Sequence, residues 1–334
     1  MEERRAEIGG VRTRLLLTSG AGPTTVLLHG FGDSADTWRP LMMELAARGR
    51  TCVAVDLPGF GAAAPLRRDL LLPQWDHFVS ALVRETARRT RGPVVVAGNS
   101  LGGLLTLRTA QHDDLPVIAA VPIAPGGLDR PRWIRLLGDD FLVRRLLALP
   151  IPVPRRLIET VVSQAYLRAA FFRPAAIDPI HVATFADHLP NRTAVRRLVA
   201  VGRALAREAG AGDLRLHQIT CPLLVVWGEE DRLLSPQGAE MLADAVPDAT
   251  VLRLTGCGHC PQIEQPAAVA AAMDRFLVAC CPRARRRRNC RERPVASPPS
   301  RAPETETSSM PRSGSSSNVG TTPSASTRSG PPPA

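Results

Sequence analysis

The chain has 334 residues, enough to bury one large core or two, and a formal net charge of +11. Residues 282–334 hold ten Arg and three Glu, or +7, which leaves 11 − 7 = +4 for everything before them, so the charge does not describe a basic nucleic-acid-binding body. Seven irregularly spaced Cys argue against a disulfide framework, and neither an apolar leader nor a bilayer-length apolar run is visible, so the expectation is a cytoplasmic protein in a reducing compartment.

In chain order, residues 7–18 read as a hairpin, with Gly9-Gly10 supplying the positive φ angles of a two-residue turn. Val26-Leu27-Leu28 is a short buried strand that ends in His29-Gly30-Phe31-Gly32. Residues 37–48 have helical spacing, with Leu41, Leu45 and Ala46 on one face. A strand over 51–56 is followed by a loop to about Leu72, and 75–89 is an amphipathic helix with Phe78, Leu82 and Val83 inward. Val94-Val95-Val96 favours an extended strand. It runs into the tight turn Gly98-Asn99-Ser100-Leu101-Gly102 and a helix over 101–110. A strand follows over 117–123. Short, nearly all-apolar strands alternating with helices predict a parallel sheet covered on both faces. The alternation stops over about 128–216, where helical pieces are separated by prolines, and resumes with strands at 223–227 and 250–254 and helices at 237–245 and 267–278. We therefore expect a core built from 1–127 and 217–280 and a helical cap over 128–216, above the carboxyl ends of the strands. The expected cap core includes Leu136, Leu137, Phe141, Leu142, Ile158, Val161, Val162, Tyr166, Phe171 and Phe172. Residues 281–334, rich in Pro, Ser and Arg, cannot bury enough apolar surface to offset chain entropy, so a disordered tail is expected. Its four consecutive arginines leave nucleic-acid or membrane contact open beside a plain solvated reading.

The turn at 98–102 spells G-x-S-x-G between a strand and a helix, the setting that strains a serine and lifts its hydroxyl off the sheet. A serine hydroxyl needs a base, and the base needs an acid to orient it. Asp231, in W-G-E-E-D, and His259, in T-G-C-G-H, follow the strands at 223–227 and 250–254, at the edge where open α/β sheets bind ligands. Ser100, Asp231 and His259 are therefore the candidate catalytic residues, with Asp129 as an alternative acid. Glu229 and Glu230 are read as solvated, and His29 as a brace for its loop. An acyl-transfer oxyanion needs preorganised donors, for which the backbone N–H groups of Leu101 and Phe31 are the candidates, with Gly30 allowing close approach.

Together, H-G-F-G at 29–32, D-L-P-G-F-G at 56–61, G-N-S-L-G-G at 98–103, W-G-E-E-D at 227–231 and G-C-G-H at 256–259 resemble the α/β-hydrolase fold superfamily over about residues 5–280. The resemblance implies an eight-stranded, mostly parallel α/β sheet with a helical cap and a hydrolase that needs neither cofactor nor metal. Ser at the nucleophile position departs from the epoxide hydrolases and haloalkane dehalogenases, which carry Asp there. G-N-S-x-G-G and C-G-H also resemble the meta-cleavage-product hydrolases, which break a carbon–carbon bond. That likeness makes Asn99 a companion of the nucleophile, grouped with Gly30, Phe31 and Leu101 as oxyanion and substrate-binding residues. In those enzymes Trp commonly follows the catalytic His, where this chain has Cys260. The leading expectation is a carboxylesterase for a small hydrophobic ester, with the carbon–carbon hydrolase and a catalytically silent binding protein as alternatives. Cys257-Gly258-His259-Cys260 is also a C-x-x-C string. A redox use would need a thiol at a helix N-terminus, and a zinc site would need a second pair.

Overall fold

The computed structural model describes residues 1–67, 69–128, 154–208 and 214–280. The expected tail, the first part of the expected cap, its residues Leu136, Leu137, Phe141 and Leu142, and the alternative acid Asp129 lie outside them.

Eight strands form one sheet: β1 (Glu2–Ile8), β2 (Val11–Thr18), β3 (Ala21–Leu28), β4 (Arg50–Val55), β5 (Val94–Asn99), β6 (Val117–Ile123), β7 (Leu224–Gly228) and β8 (Thr250–Leu254). Their order across the sheet is β1-β2-β4-β3-β5-β6-β7-β8. The pairs β1/β2 and β2/β4 are antiparallel, and every other neighbouring pair is parallel. In β3, β5 and β6 both faces are apolar, and the faces alternate residue by residue. Leu27, Val95, Ala97 and Val121 point into one core layer, against helices α1 (Arg39–Ala47) and the C-terminal helix over Pro266–Cys280. Val26, Leu28, Val94 and Val96 point into the other, against α2 (Leu71–Thr90) and α3 (Leu101–Ala110). Trp38, Trp75 and Phe78 are fully buried in these layers and Trp227 in a third cluster with Leu107, Leu223 and Leu242, each large ring removing on the order of 1.5–3 kcal/mol of apolar exposure.

Three helices lie between β6 and β7 among the described residues: α4 (Arg155–Ala170), α5 (Pro179–Asp187) and α6 (Arg192–Glu208). After β7 come α7 (Gly238–Ala245), then β8, the single-turn α8 (Pro261–Glu264) and α9 (Pro266–Cys280). Within α4, Ile158 is buried and Tyr166 half-buried, whereas Val161 is exposed. Phe171, just after the helix, is buried.

Two elements extend beyond their sequence-based bounds. The first strand starts at Glu2, five residues before the expected hairpin, because an edge strand needs no apolar face; Glu2, Glu3, Arg4 and Arg5 are all exposed. Helix α2 starts at Leu71, inside the expected loop, because Glu208 supplies its missing cap. The Glu208 carboxylate accepts from the N–H groups of Leu71 at 2.7 Å and Leu72 at 2.9 Å.

Candidate active site

Ser100 stands between β5 and α3 with φ 55° and ψ −110°, a conformation that costs a non-glycine residue on the order of 1–3 kcal/mol. Its neighbours hold it there. Ser100 N–H donates to Ile123 O at 3.0 Å, and its carbonyl accepts from the N–H groups of Leu104 at 2.9 Å and Gly126 at 3.0 Å. A Cβ on Gly98 would lie 2.2 Å from Gly102 O, and one on Gly102 would lie 2.0 Å from Leu28 O. Strand β5, helix α3 and the end of β3 are thus closer than any side chain allows.

Asp231 follows β7 and is buried. Its Oδ1 accepts from the N–H groups of Leu233 at 2.8 Å and Leu234 at 3.0 Å. Its Oδ2 accepts from the indole N–H of Trp227 at 3.2 Å and lies 2.8 Å from His259 Nδ1. A carboxylate surrounded by donors fixes the tautomer of the ring: Nδ1 carries the proton, and Nε2 keeps its lone pair. His259 follows β8 and is buried to 5% exposure. Its backbone is held on two sides, by Asn99 Nδ2 donating to its carbonyl at 2.9 Å and by its own N–H donating to Ala170 O at 2.8 Å. Among the described residues Ser100 Oγ makes no hydrogen bond, to His259 or to any other group; the geometry of an unliganded site does not by itself decide a catalytic pair.

The turn at 29–32 lies against the elbow: a Cβ on Gly30 would be 3.4 Å from Asn99 Oδ1 and 3.5 Å from Ser100 Cβ. Leu101 opens α3, so its N–H has no intrahelical acceptor. Among the described residues neither it nor Phe31 N–H donates to the protein. His29 is buried; its Nδ1–H donates to Gly30 O at 2.7 Å and its Nε2 accepts from Leu57 N–H at 2.8 Å. Burial pushes its pKa down to about 4, so it is a neutral brace. Asp33, buried beside this turn, is pushed up to about 7 by desolvation, against the opposing pull of Ser34 N–H and the Thr37 hydroxyl.

Asn99, grouped by resemblance with the substrate-binding residues, is 2% exposed and turned into the protein. Its amide donates to Ile123 O and His259 O, and its Oδ1 accepts from Gln262 Nε2 at 3.2 Å. It ties the elbow to the histidine loop rather than facing the space above Ser100. Glu230, expected to be solvated, accepts from Cys257 N–H at 2.9 Å, and Glu229 accepts from the Thr255 hydroxyl at 2.7 Å. Burial raises the pKa of both Cys257 and Cys260, opposite to the depression a redox thiol needs. Among the described residues no cluster of three metal-ligating side chains occurs, and no helix is long and apolar enough to cross a membrane. Reading the sequence did not single out Gln262 or the indole of Trp227 as site neighbours. Nor did it single out Glu264, which accepts from Gly258 N–H at 2.7 Å and Phe172 N–H at 2.9 Å. The one available signal was their closeness in sequence to Asp231 and His259.

Helix α6 lies over the 29–32 turn: a Cβ on Gly32 would be 3.3 Å from Leu198, and one on Gly202 3.2 Å from the Phe31 ring. Phe31 packs edge-on against Phe60, with ring centres 5.4 Å apart. The Phe31 turn is therefore packed against apolar and aromatic groups. A separate cavity of about 720 Å³ lies at the opposite, amino edge of the sheet, lined by residues such as Ile219, Cys221, Val246 and Phe276, away from Ser100.

A family model described as an alpha/beta hydrolase family matches residues 25–272. The chain is 32% identical over 274 residues to a pimeloyl-[acyl-carrier protein] methyl ester esterase of Xanthomonas oryzae pv. oryzae, covering 77% of this chain and 96% of that protein. It is 27% identical to the dihydrolipoyllysine-residue acetyltransferase component of the acetoin cleaving system of Cupriavidus necator, covering 78% of this chain but only 65% of that relative. Among solved structures, a membrane phospholipase A superposes with a TM-score of 0.68 at 23% identity, covering 84% of this chain and 86% of that one.

Proposed function

The chain belongs to the alpha/beta hydrolase family, and from that premise we propose that it is a cofactor-free serine carboxylesterase acting on a hydrophobic ester through an acyl-enzyme. The observation that carries this assignment is the Asp231 carboxylate held by three protein donors and set 2.8 Å from His259 Nδ1. It leaves Nε2 with its lone pair, and in this reading that nitrogen is the base for Ser100. The methyl ester esterase relative supports ester chemistry, and the apolar and aromatic groups packed against the Phe31 turn support an apolar acyl group.

In this mechanism His259 Nε2 takes the Ser100 proton as Oγ bonds to the ester carbonyl carbon. The carbonyl π electrons move to oxygen, and the N–H groups of Phe31 and Leu101 stabilise that oxyanion. Its collapse expels the alkoxide, which takes the proton from the imidazolium and departs as alcohol. Water then repeats the sequence on the acyl-enzyme and releases the acid. Asp231 stays ionised and stabilises the imidazolium. We take α4, α5 and α6 as a cap that excludes water and sets acyl specificity. Support for the cap comes from α6, where Leu198 and Gly202 sit on the Phe31 turn. A cytoplasmic location belongs to the same proposal and is tested by cell fractionation.

A fluorophosphonate probe should label the native protein and neither Ser100→Ala nor His259→Ala. A p-nitrophenyl ester series should favour uncharged aliphatic acyl groups. Labelling that survives Ser100→Ala refutes the assignment, and a preference for charged acyl groups refutes the substrate class.

A further inference from the structure

The loop that carries His259 is attached to the helices between β6 and β7 as well as to the sheet. His259 N–H donates to Ala170 O, the last residue of α4, at 2.8 Å. Two residues on, Phe172 N–H donates to Glu264 Oε2 at 2.9 Å, while Gly258 N–H donates to Glu264 Oε1 at 2.7 Å. One carboxylate therefore clamps the backbone on both sides of the join, one oxygen for each strand of it. The fit is tight: a Cβ on Gly258 would lie 2.8 Å from Ala170 O, 2.9 Å from Phe172 N and 3.0 Å from Glu264 Oε1. Around the clamp, Ala170, Phe171, Cys260 and Ile263 form a buried apolar cluster against which Tyr166 and Leu167 pack. On the other flank of His259, Asn99 holds the carbonyl. While Asp231 holds the ring, the His259 backbone is thus set from two sides, by the elbow through Asn99 and by the end of α4 through Ala170 and the Glu264 clamp.

We propose that Glu264 is a positioning residue for the reaction: its two oxygens lock the end of α4 to the His259 loop, so the register of the base depends on the helices over the site. This rests on the assignment of His259 as the base. A carboxylate suits the role because both of its oxygens accept. Glutamine at this position keeps the shape but sets an amide N–H against one of the two backbone donors, which opens one side of the clamp without emptying the cluster.

The test compares native protein, Glu264→Gln and Gly258→Ala, the last of which forces the clamp apart from the opposite side. Three quantities are read: p-nitrophenyl butyrate kinetics, the fluorophosphonate labelling rate, and the proton resonance of the His259 Nδ1–H that donates to Asp231. A displaced base should lower kcat by about 10- to 100-fold, with KM changed less than kcat and the labelling rate falling in parallel. The imidazole resonance should shift or broaden in both variants. A Glu264→Gln protein with native kcat and a native resonance overturns the proposal, even if its thermal transition falls, because a merely structural tie would lower only the latter. Should Glu264→Gln fail to fold, Gly258→Ala decides on the same criteria. Labelling that survives Ser100→Ala marks failure of the catalytic assignment instead; the resonance then decides alone whether Glu264 positions His259.

Discussion

Asp231→Asn isolates the electrostatic half of the site at almost constant volume. All four atoms facing the carboxylate are donors: two backbone N–H groups on Oδ1, and an indole N–H and the imidazole on Oδ2. An amide nitrogen must therefore oppose a donor wherever it points. Turned to the Oδ1 side, it loses two fixed backbone hydrogen bonds. Turned to the Oδ2 side, it loses only the indole bond, because the imidazole can adapt by accepting at Nδ1. The second orientation wins. The cost is the tautomer: the proton moves to Nε2, and the base no longer has a lone pair for Ser100. We expect kcat for p-nitrophenyl butyrate to fall about 10⁴-fold, about 5 kcal/mol of transition-state stabilisation. KM should stay near its native value. One buried indole N–H left unpaired should cost about 1–3 kcal/mol of stability, read as a modest fall in the thermal transition. An Asp231→Asn protein within tenfold of native kcat would refute both the acid assignment and the tautomer reasoning.

Gly102→Ala should destabilise the protein by about 3 kcal/mol or more, since its Cβ would sit 2.0 Å from Leu28 O and 2.8 Å from His29 O, backbone atoms rather than a flexible side chain that could yield; urea denaturation measures this, and a midpoint near the native one would contradict it. His29 and Asp33 should impose opposite pH dependences. The folded pKa of His29 is about 4, below its unfolded value of about 6.5, so the stability it contributes is complete above pH 6.5 and is lost as pH falls toward 4. The folded pKa of Asp33 is about 7, above its unfolded value of about 3.8, so its contribution is complete below pH 3.8 and is lost as pH rises toward 7. Over pH 4–6.5 the two should nearly cancel, each being worth at most about 3–4 kcal/mol. In Asp33→Asn, stability should therefore climb with pH across this window, and in His29→Gln it should fall. Urea midpoints at four pH values check both signs, and equal profiles in the two variants would show that other groups govern the window.

Much of this architecture was legible because the strands are short and apolar on both faces. Val94-Val95-Val96 and 117–123 admit few other readings, and the elbow follows at once. The positions of Ser100, Asp231 and His259 were legible for a different reason: each falls at the carboxyl end of a strand, and parallel topology gathers those ends at one edge. Three features stayed hidden, each for a physical cause. The start of the first strand was hidden because an exposed edge strand carries charges where a pattern would show apolar residues. The start of α2 was hidden because its cap, Glu208, is 137 residues away. The role of Glu264 was hidden because its partners are backbone amides of Gly258 and Phe172, whose positions no side-chain spacing reports.

The residues proposed to do chemistry hang from the ends of β3, β5, β7 and β8, and Asn99 and His259, which meet through one hydrogen bond, are 160 residues apart in the chain. Strand β7, which carries Asp231, joins β6 only after the long excursion through α4, α5 and α6. No fragment ending before residue 259 can hold the imidazole, and no collapsed chain with an unpaired β7 can orient it. Ordering such distant segments is slow, so reactivity toward a suicide probe should be the last native property to return on refolding, after helical content has recovered.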